Sequence, residues 1–285
     1  MVKPILVIGA TGTVGREVVR ELLRTGQVVR AASREPASGA RNLGGSVEFV
    51  KLDFERPETF APALTNIDRV FLIARPGDDA ADRVAIPLID EMKRQSVRAV
   101  VDLSAMGIET QDDAALRKIE HYLEDSGLGF THLRPNWFMQ VFTTGPLFAG
   151  IHATGTISIP AGTAKISYID VRDIAAVAAA ALTQPSHLSR AYTLTGEEAL
   201  DHHQIADLIS RAGCAVRYVP LSDAEARGNL ETAGFGGQRA ERLLGFYNLV
   251  RQGFCAPVSA DVERVLGRPP ISFAAFAHDH ASVWR

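Results

Sequence analysis

The stretch from Gly9 to Gly15 constrains this chain more than any other. A short apolar run, Ile5-Leu6-Val7-Ile8, reads as a buried strand. It ends in Gly9-Ala10-Thr11-Gly12-Thr13-Val14-Gly15 and passes directly into Val14, Val18, Val19, Leu22 and Leu23, apolar at helical spacing. Strand, glycine turn and helix in that order form a phosphate-binding device. Glycines let the backbone turn tightly and bring its amides close to a pyrophosphate, and the helix amino terminus adds partial positive charge. The spacing is G-x-x-G-x-x-G, a variant of the dinucleotide pattern G-x-G-x-x-G. Gly9, Thr11, Gly12, Thr13, Val14 and Gly15 are therefore the first candidate dinucleotide-binding residues.

The first half continues the alternation. Val28–Ala32, Val47–Leu52, Val70–Ile73 and Ala99–Leu103 read as strands, with helices near Glu58–Leu64 and Ala80–Gln95, the latter kinked or split at Pro87. Strands this apolar, separated by helices, predict a parallel sheet covered on both faces, with ligands at the strands' carboxyl ends. The fold class is α/β: a Rossmann-type doubly wound parallel sheet with a smaller carboxyl-terminal substrate-binding lobe. Residues 1–145 are expected to form the NADP(H)-binding core, its sheet continued by 166–182. Residues 146–165 and 190–285 are expected to form the lobe. In the second half of the chain, a helix around Ala114–Ser126 and a strand Phe130–Leu133 precede Gly145–Ala164, which reads as an excursion from the sheet. A helix near His203–Ala212, a strand Val216–Val219 and a helical stretch Ala224–Gly253 follow.

Composition narrows the partners. The net charge is −3 and no run of lysine or arginine occurs, so nucleic acid and anionic membrane are not expected. The apolar tract Ile174–Leu182 is too short to span a bilayer. Met1-Val2-Lys3-Pro4 leads straight into the first strand, leaving no room for a signal peptide. Cys214 and Cys255 have no paired spacing, so a disulfide framework or zinc site is not expected and a cytoplasmic, reducing location fits. The oligomeric state stays open, a homodimer included.

Residues after the second strand choose between the nicotinamide cofactors. An acid there accepts from a ribose 2′-hydroxyl; a cation favours a 2′-phosphate. Ser33-Arg34 places a guanidinium there, able to fork onto a phosphate and stack on adenine, or simply to be solvated. Glu35 partly offsets it. NADP(H) is preferred over NAD(H) on this basis. Asp53-Phe54, ending the third strand, would sit beside the adenine, or Asp53 serves only as a turn residue. Ala74-Arg75-Pro76 ends the fourth strand close to ribose and pyrophosphate, with Arg75 free to face solvent or substrate instead.

With those residues in place, the chain resembles the NmrA-type members of the atypical short-chain dehydrogenase/reductase superfamily. Gly9–Gly15 matches that family's opening. Leu133-Arg-Pro-Asn-Trp-Phe-Met139 resembles its strand-to-loop segment beside the nicotinamide, which brings in Pro135. Val171-Arg-Asp-Ile174, Tyr192-Thr-Leu-Thr-Gly196 and Gly267-Arg-Pro-Pro-Ile-Ser-Phe273 recur in the same order. The resemblance implies a nucleotide-binding sheet with a small substrate lobe. Its members include NAD(P)H-dependent quinone and triphenylmethane dye reductases, and regulators that bind the dinucleotide without turnover. Ser104 stands where the superfamily's serine is expected. Aligning Glu120 with the family's helix glutamate puts Asp112 at the tyrosine position and Leu116 at the lysine position, so the usual Tyr-Lys pair is missing. Lys118 lies roughly 200° around the helix from Leu116 and is expected at the surface. Hydride transfer to a quinone, iminium or cationic dye needs little enzymic proton donation. Ser104 and Asn136 are the catalytic candidates, with Tyr168 or water as other proton donors.

Trp137, Phe138 and Phe142 follow the sixth strand and, with Asn136 and Tyr168, are the candidate substrate-binding residues. Clustered aromatics there suit a flat apolar substrate or, equally, core packing. Phe235, Phe246 and Tyr247 read rather as a helical core stripe. His202-His203 and His278-Asp279-His280 lack a complete metal ligand set and are expected at the surface; no metal site is expected. Asp170 and Asp173 read as caps of the alanine-rich helix. The sequence thus predicts an NADP(H)-dependent oxidoreductase acting on a flat, apolar carbonyl-, quinone- or iminium-type molecule. The alternative is a catalytically inactive dinucleotide sensor acting through a protein partner.

Overall fold

A computed structural model describes residues 3–37, 47–75 and 77–285; Met1, Val2 and Pro76 lie outside them. The chain divides into two compact units. The first comprises residues 1–135, 171–194 and 264–267, the second 136–170, 195–263 and 268–285. The division thus falls at Pro135, ahead of the expected residue 145, and residues 190–194 belong with the sheet rather than the lobe.

Seven strands form the first unit's sheet: β1 (Ile5–Ile8), β2 (Val29–Ser33), β3 (Glu48–Lys51), β4 (Arg69–Ile73), β5 (Ala99–Leu103), β6 (Gly129–Pro135) and, after β7 (Thr156–Ile159) of the other unit, β8 (Arg190–Leu194). Their order is β3-β2-β1-β4-β5-β6-β8, and every pairing is parallel. The four β1 residues are wholly buried, as a central strand covered on both faces requires. Chain order reverses between β1 and β4, and such a switch point opens a crevice at the strands' carboxyl ends. Gly9 stands at that point.

The helices that cover the sheet include α1 (Thr13–Arg24), Ala81–Arg94, Ala115–Asp125 and Val171–Thr183. Ala81–Arg94 runs unbroken through Pro87, against the expected split. Pro87 and Arg83, whose carbonyl loses its intrahelical partner, are both exposed, so water can replace the missing N–H. Asp173 lies in the first turn of Val171–Thr183 rather than ahead of it.

In the second unit, β7 (Thr156–Ile159) pairs in parallel with β9 (Arg217–Pro220). The expected excursion is therefore ordered, with a helix Gly145–Thr154 leading into β7. The helical stretch from Ala224 is two helices, Asp223–Thr232 and Gln238–Arg251, parted where Gly234 and Gly237 take positive φ. Phe142, Tyr168, Tyr218, Tyr247, Phe273, Phe276 and Trp284 form its core. Trp284 Nε1 donates to the Phe142 carbonyl (2.7 Å), satisfying the indole inside it.

Candidate functional site

The three turn glycines have separate reasons to be glycine. Gly9 adopts φ +70°, which L side chains disfavour. A Cβ on Gly15 would stand 2.2 Å from the Gly9 carbonyl oxygen, so only glycine lets helix and turn approach this closely. Gly12 donates its N–H to that same carbonyl (2.9 Å) and accepts from Arg16 N (3.0 Å), making it the extended residue that starts α1. No side chain caps α1 and no acid stands in its first turn. The first-turn amides of Thr13, Val14 and Gly15 have no partner one turn earlier, and nothing in the helix offsets their partial charge. That end fits a diphosphate.

Other strand ends surround it. Ser33 closes β2 with a buried hydroxyl that has no hydrogen-bond partner among the described residues, and Arg34 beside it is exposed. Asp53 is already a turn residue: Oδ1 accepts from Glu55 N (3.1 Å), and its own N–H donates to Thr59 Oγ1 (3.0 Å). Phe54 is half-buried against the core. Ala74 is buried. Arg75 pairs with Glu55 and faces Asp78 at 3.7 Å, so it addresses carboxylates rather than bulk solvent.

Ser104, just past β5, belongs to a buried ionic cluster that sequence reading missed. Asp102 and His132 are partners in the β5–β6 register. Side chains alternate along a strand, so Ser104 and Arg134 follow on the same face. Over that face the helix Ala115–Asp125 brings Arg117, Glu120 and Glu124, spaced three, four and seven apart and so on one stripe. His132 Nδ1 meets Asp102 Oδ1 at 2.6 Å, and Nε2 faces Glu124 Oε1 at 3.4 Å without an aligned hydrogen bond. Glu120, fully buried, is forked by Arg134 (2.8 and 2.9 Å) and bonded by Arg117 (2.7 Å). Burial pushes the Glu120 carboxyl up, but Arg134, Ser104, His132 and Arg117 together hold it below the usual range. Burial likewise opposes charge on His132, yet Asp102, Glu120 and Glu124 outweigh it and raise its proton affinity. Ligand atoms of Asp102, Glu120 and His132 lie within 4.8 Å of one another, but two guanidiniums already supply the cationic charge there. The signal lay in polar residues at alternate positions of otherwise apolar strands: Asp102 in one, His132 and Arg134 in the next.

Of the two residues expected in place of the tyrosine and lysine, the Asp112 carboxylate is exposed and Leu116 packs against the sheet core. Lys118 is exposed, as expected.

The expected substrate residues all fall in the second unit. Asn136 is buried, and Nδ2 donates to Ser167 Oγ and the Cys255 carbonyl, both at 2.8 Å. Trp137 and Phe138 are half-buried, whereas Phe142 and Tyr168 are wholly inside. The Tyr168 ring sits 5.2 Å from Phe142 and 6.5 Å from Trp137, edge-on to each. Its hydroxyl meets His202 Nε2 at 3.0 Å. His202 is thus a core residue, correcting its expected place at the surface, while His203 is exposed. Burial lowers the His202 pKa to about 4, and its position opening the helix His202–Arg211 also disfavours a cation. Tyr247 joins the core, but Phe246 is exposed, so only part of the expected aromatic stripe faces inward.

A family model described as NAD(P)H-binding matches residues 9–185, from the glycine turn through the helix that follows the excursion. The chain belongs to that NAD(P)H-binding family. It is 33% identical to an NAD(P)H azoreductase of Xenophilus azovorans over 286 residues, 98% of this chain and 99% of that one. It is 34% identical to a (4-alkanoyl-5-oxo-2,5-dihydrofuran-3-yl)methyl phosphate reductase of Streptomyces griseus, covering 98% and 99%. The triphenylmethane reductase of Citrobacter sp., solved with NADP(H), shares the fold at TM-score 0.84 and 21% identity, covering 98% and 99%. The NAD(P)H-binding reductase class expected from the motifs agrees with the family model and these relatives. Among the described residues no helix is long and apolar enough to cross a membrane.

Proposed function

We propose that this protein is an NADP(H)-dependent reductase of flat, apolar, electron-poor small molecules: quinone, iminium, carbonyl or azo compounds. The observation that carries the reading is the amino end of α1, opened by three glycines and bare of any capping or acidic side chain. Gly9, Thr11, Gly12, Thr13, Val14 and Gly15 would hold the diphosphate. Ser33 and Arg34 would take the 2′-phosphate, Asp53 and Phe54 the adenine, and Ala74 and Arg75 the neighbouring ribose. Ser104 and Pro135 would flank the nicotinamide. When bound, the reduced cofactor supplies a hydride; the chain's task is to position the acceptor, exclude water and deliver a proton where one is needed. With Asp112 and Leu116 at the usual catalytic positions, no Tyr-Lys pair does this.

On the substrate side, Trp137 and Phe138 keep part of their surface free to meet a flat ring, backed by Phe142 and Tyr168. Asn136 keeps its carbonyl oxygen for a polar group while its amide nitrogen holds Ser167 and Cys255. The azoreductase and the furanyl phosphate reductase relatives support conjugated acceptors as the class.

The test is consumption of NADPH and NADH against a panel of quinones, azo compounds and cationic dyes. Turnover is expected, with Arg34→Ala weakening NADPH binding at least about tenfold, the scale of one charged hydrogen bond, and NADH binding little. Equal losses would remove Arg34 from the phosphate site. Tight dinucleotide binding with no turnover on any acceptor would leave the sensor in place of the reductase.

A further inference from the structure

Reduction of a quinone or azo bond consumes one proton with each hydride, and without the Tyr-Lys pair the reductase reading leaves the donor unnamed. We propose that the cluster behind Ser104 is that supply: a path from Glu124 at the surface, through His132, to Glu120 and the Ser104 hydroxyl. The proposal rests on the reductase reading and assigns a proton source to the same site.

Three observations carry it. The first is continuity. Glu124 is 31% exposed and reaches water; His132 behind it is 1% exposed and Glu120 is 0% exposed. Glu120 and His132 place their nearest polar atoms within 4.8 Å, and Ser104 stands close enough to Glu120 to favour its charged form. The second is charge. Asp102, Glu120 and Glu124 face His132, and Glu109 adds a carboxylate 3.6 Å from Arg134; Arg117 and Arg134 bring two guanidiniums. Carboxyl groups outnumber guanidiniums, and His132 is the residue among them able to add a cation, its charge offsetting the burial that pushes the Asp102 carboxyl up. From β5 it faces Asp102, and from the helix Glu120, Glu124 and, through them, Arg117; Arg134 shares its own strand. The third is the pair of loose ends. Ser104 Oγ, at the inner end of the path, and His132 Nε2, next to its surface member, are both buried without an aligned hydrogen bond. A cluster built only for stability has little reason to leave them so.

The step balances as proton transfer alone. As hydride reaches the acceptor, its oxygen or nitrogen gains an electron pair and takes the Ser104 hydroxyl proton. The O–H bond broken at Ser104 is remade with a proton from Glu120, which takes one from the His132 imidazolium in the same shift. Glu124 then restores His132 with a proton from water. The net donor is the His132 imidazolium and the net acceptor the hydroquinone anion or its nitrogen counterpart. A cationic dye that is discharged by hydride alone makes no use of the path.

Two measurements test it. In the cofactor-free protein, NMR of the imidazole signals, with His132 identified by its loss in His132→Gln, should show His132 titrating above pH ~6.5. Glu124→Gln should lower that midpoint. Titration at or below the ordinary value overturns the proposal. In turnover, His132→Gln should lower the quinone or azo rate relative to the cationic-dye rate at least about tenfold. A larger solvent deuterium effect should appear on the quinone or azo arm. Equal loss on both arms would show a structural cluster and overturn the proton supply alone. A wild-type protein that reduces no acceptor would overturn the reductase reading, and the supply with it.

Discussion

The first unit buries His132 and the second buries His202, and the two surroundings drive them to opposite charge. His132 lies among three carboxylates and two guanidiniums, its ring stacked on Phe130 at 4.8 Å between centroids. His202 lies among Phe142, Tyr168 and Tyr218, with one hydrogen bond to a phenol. Burial alone disfavours an imidazolium in both places. Only the facing carboxylates reverse that preference for His132. What decides a buried histidine's role is therefore the charge opposite it, not its depth. The ionic one sits beside Ser104 in the cofactor-binding unit, the neutral one behind the aromatic side chains assigned to substrate.

The largest expected effect comes from removing each ring in turn. His132→Leu takes the cation away from Asp102 and leaves a buried carboxyl without its hydrogen-bond partner, a loss of about 3–5 kcal/mol. His202→Phe forfeits one neutral hydrogen bond and leaves the Tyr168 hydroxyl unpaired, about 1–2 kcal/mol. Denaturant unfolding at neutral pH measures both. The reverse order would mean that His132 is neutral.

Dependence on pH sharpens the contrast. His202 binds its proton at about 4 when folded, against 6.5 ordinarily. Between those values the unfolded chain holds more protons, so stability should fall as pH drops from 6.5 to 4, by up to about 3 kcal/mol. His132 runs the other way: its contribution is complete below the ordinary value and is lost as pH rises through its raised one. His202→Phe should flatten the acid limb and His132→Gln the alkaline one. An acid limb that survives in His202→Phe would place the titration elsewhere.

The two regions also differ in how far the sequence alone discloses them. The glycine turn was legible because its requirements are local: a left-handed Gly9, a Gly15 pressed on the Gly9 carbonyl, and an uncapped helix start within seven residues. Strands β1, β4 and β5 were legible for a similar reason, since central parallel strands are continuous apolar runs. The ionic cluster depends on β5–β6 register and on the phase of the helix Ala115–Asp125, which no single segment encodes. Asp102, His132 and Arg134 were visible as polar residues in apolar strands, but only pairing shows that they meet. His202 was misplaced because a His-His pair after Asp201 reads as a polar helix start; the capping box at Asp201 and Gln204 fixes the phase that turns His202 inward. The unit boundary escaped because the chain leaves the sheet at Pro135, within an apolar segment that carries no change in composition.

The smallest effect tests the contact on which the second unit's half of the comparison depends. Tyr168→Phe keeps the ring and its edge contacts to Phe142 and Trp137 and deletes only the hydroxyl. His202 Nε2 then stays buried without a donor, at a cost of about 1 kcal/mol. The acid limb should remain, because burial and not this hydrogen bond depresses the His202 pKa. Unfolding at pH 7 and at pH 5 measures both terms on one variant. A fall in turnover with no loss of stability would mean that the hydroxyl serves the substrate rather than His202. The second unit's polar pair would then be part of the chemistry and not a satisfied piece of core.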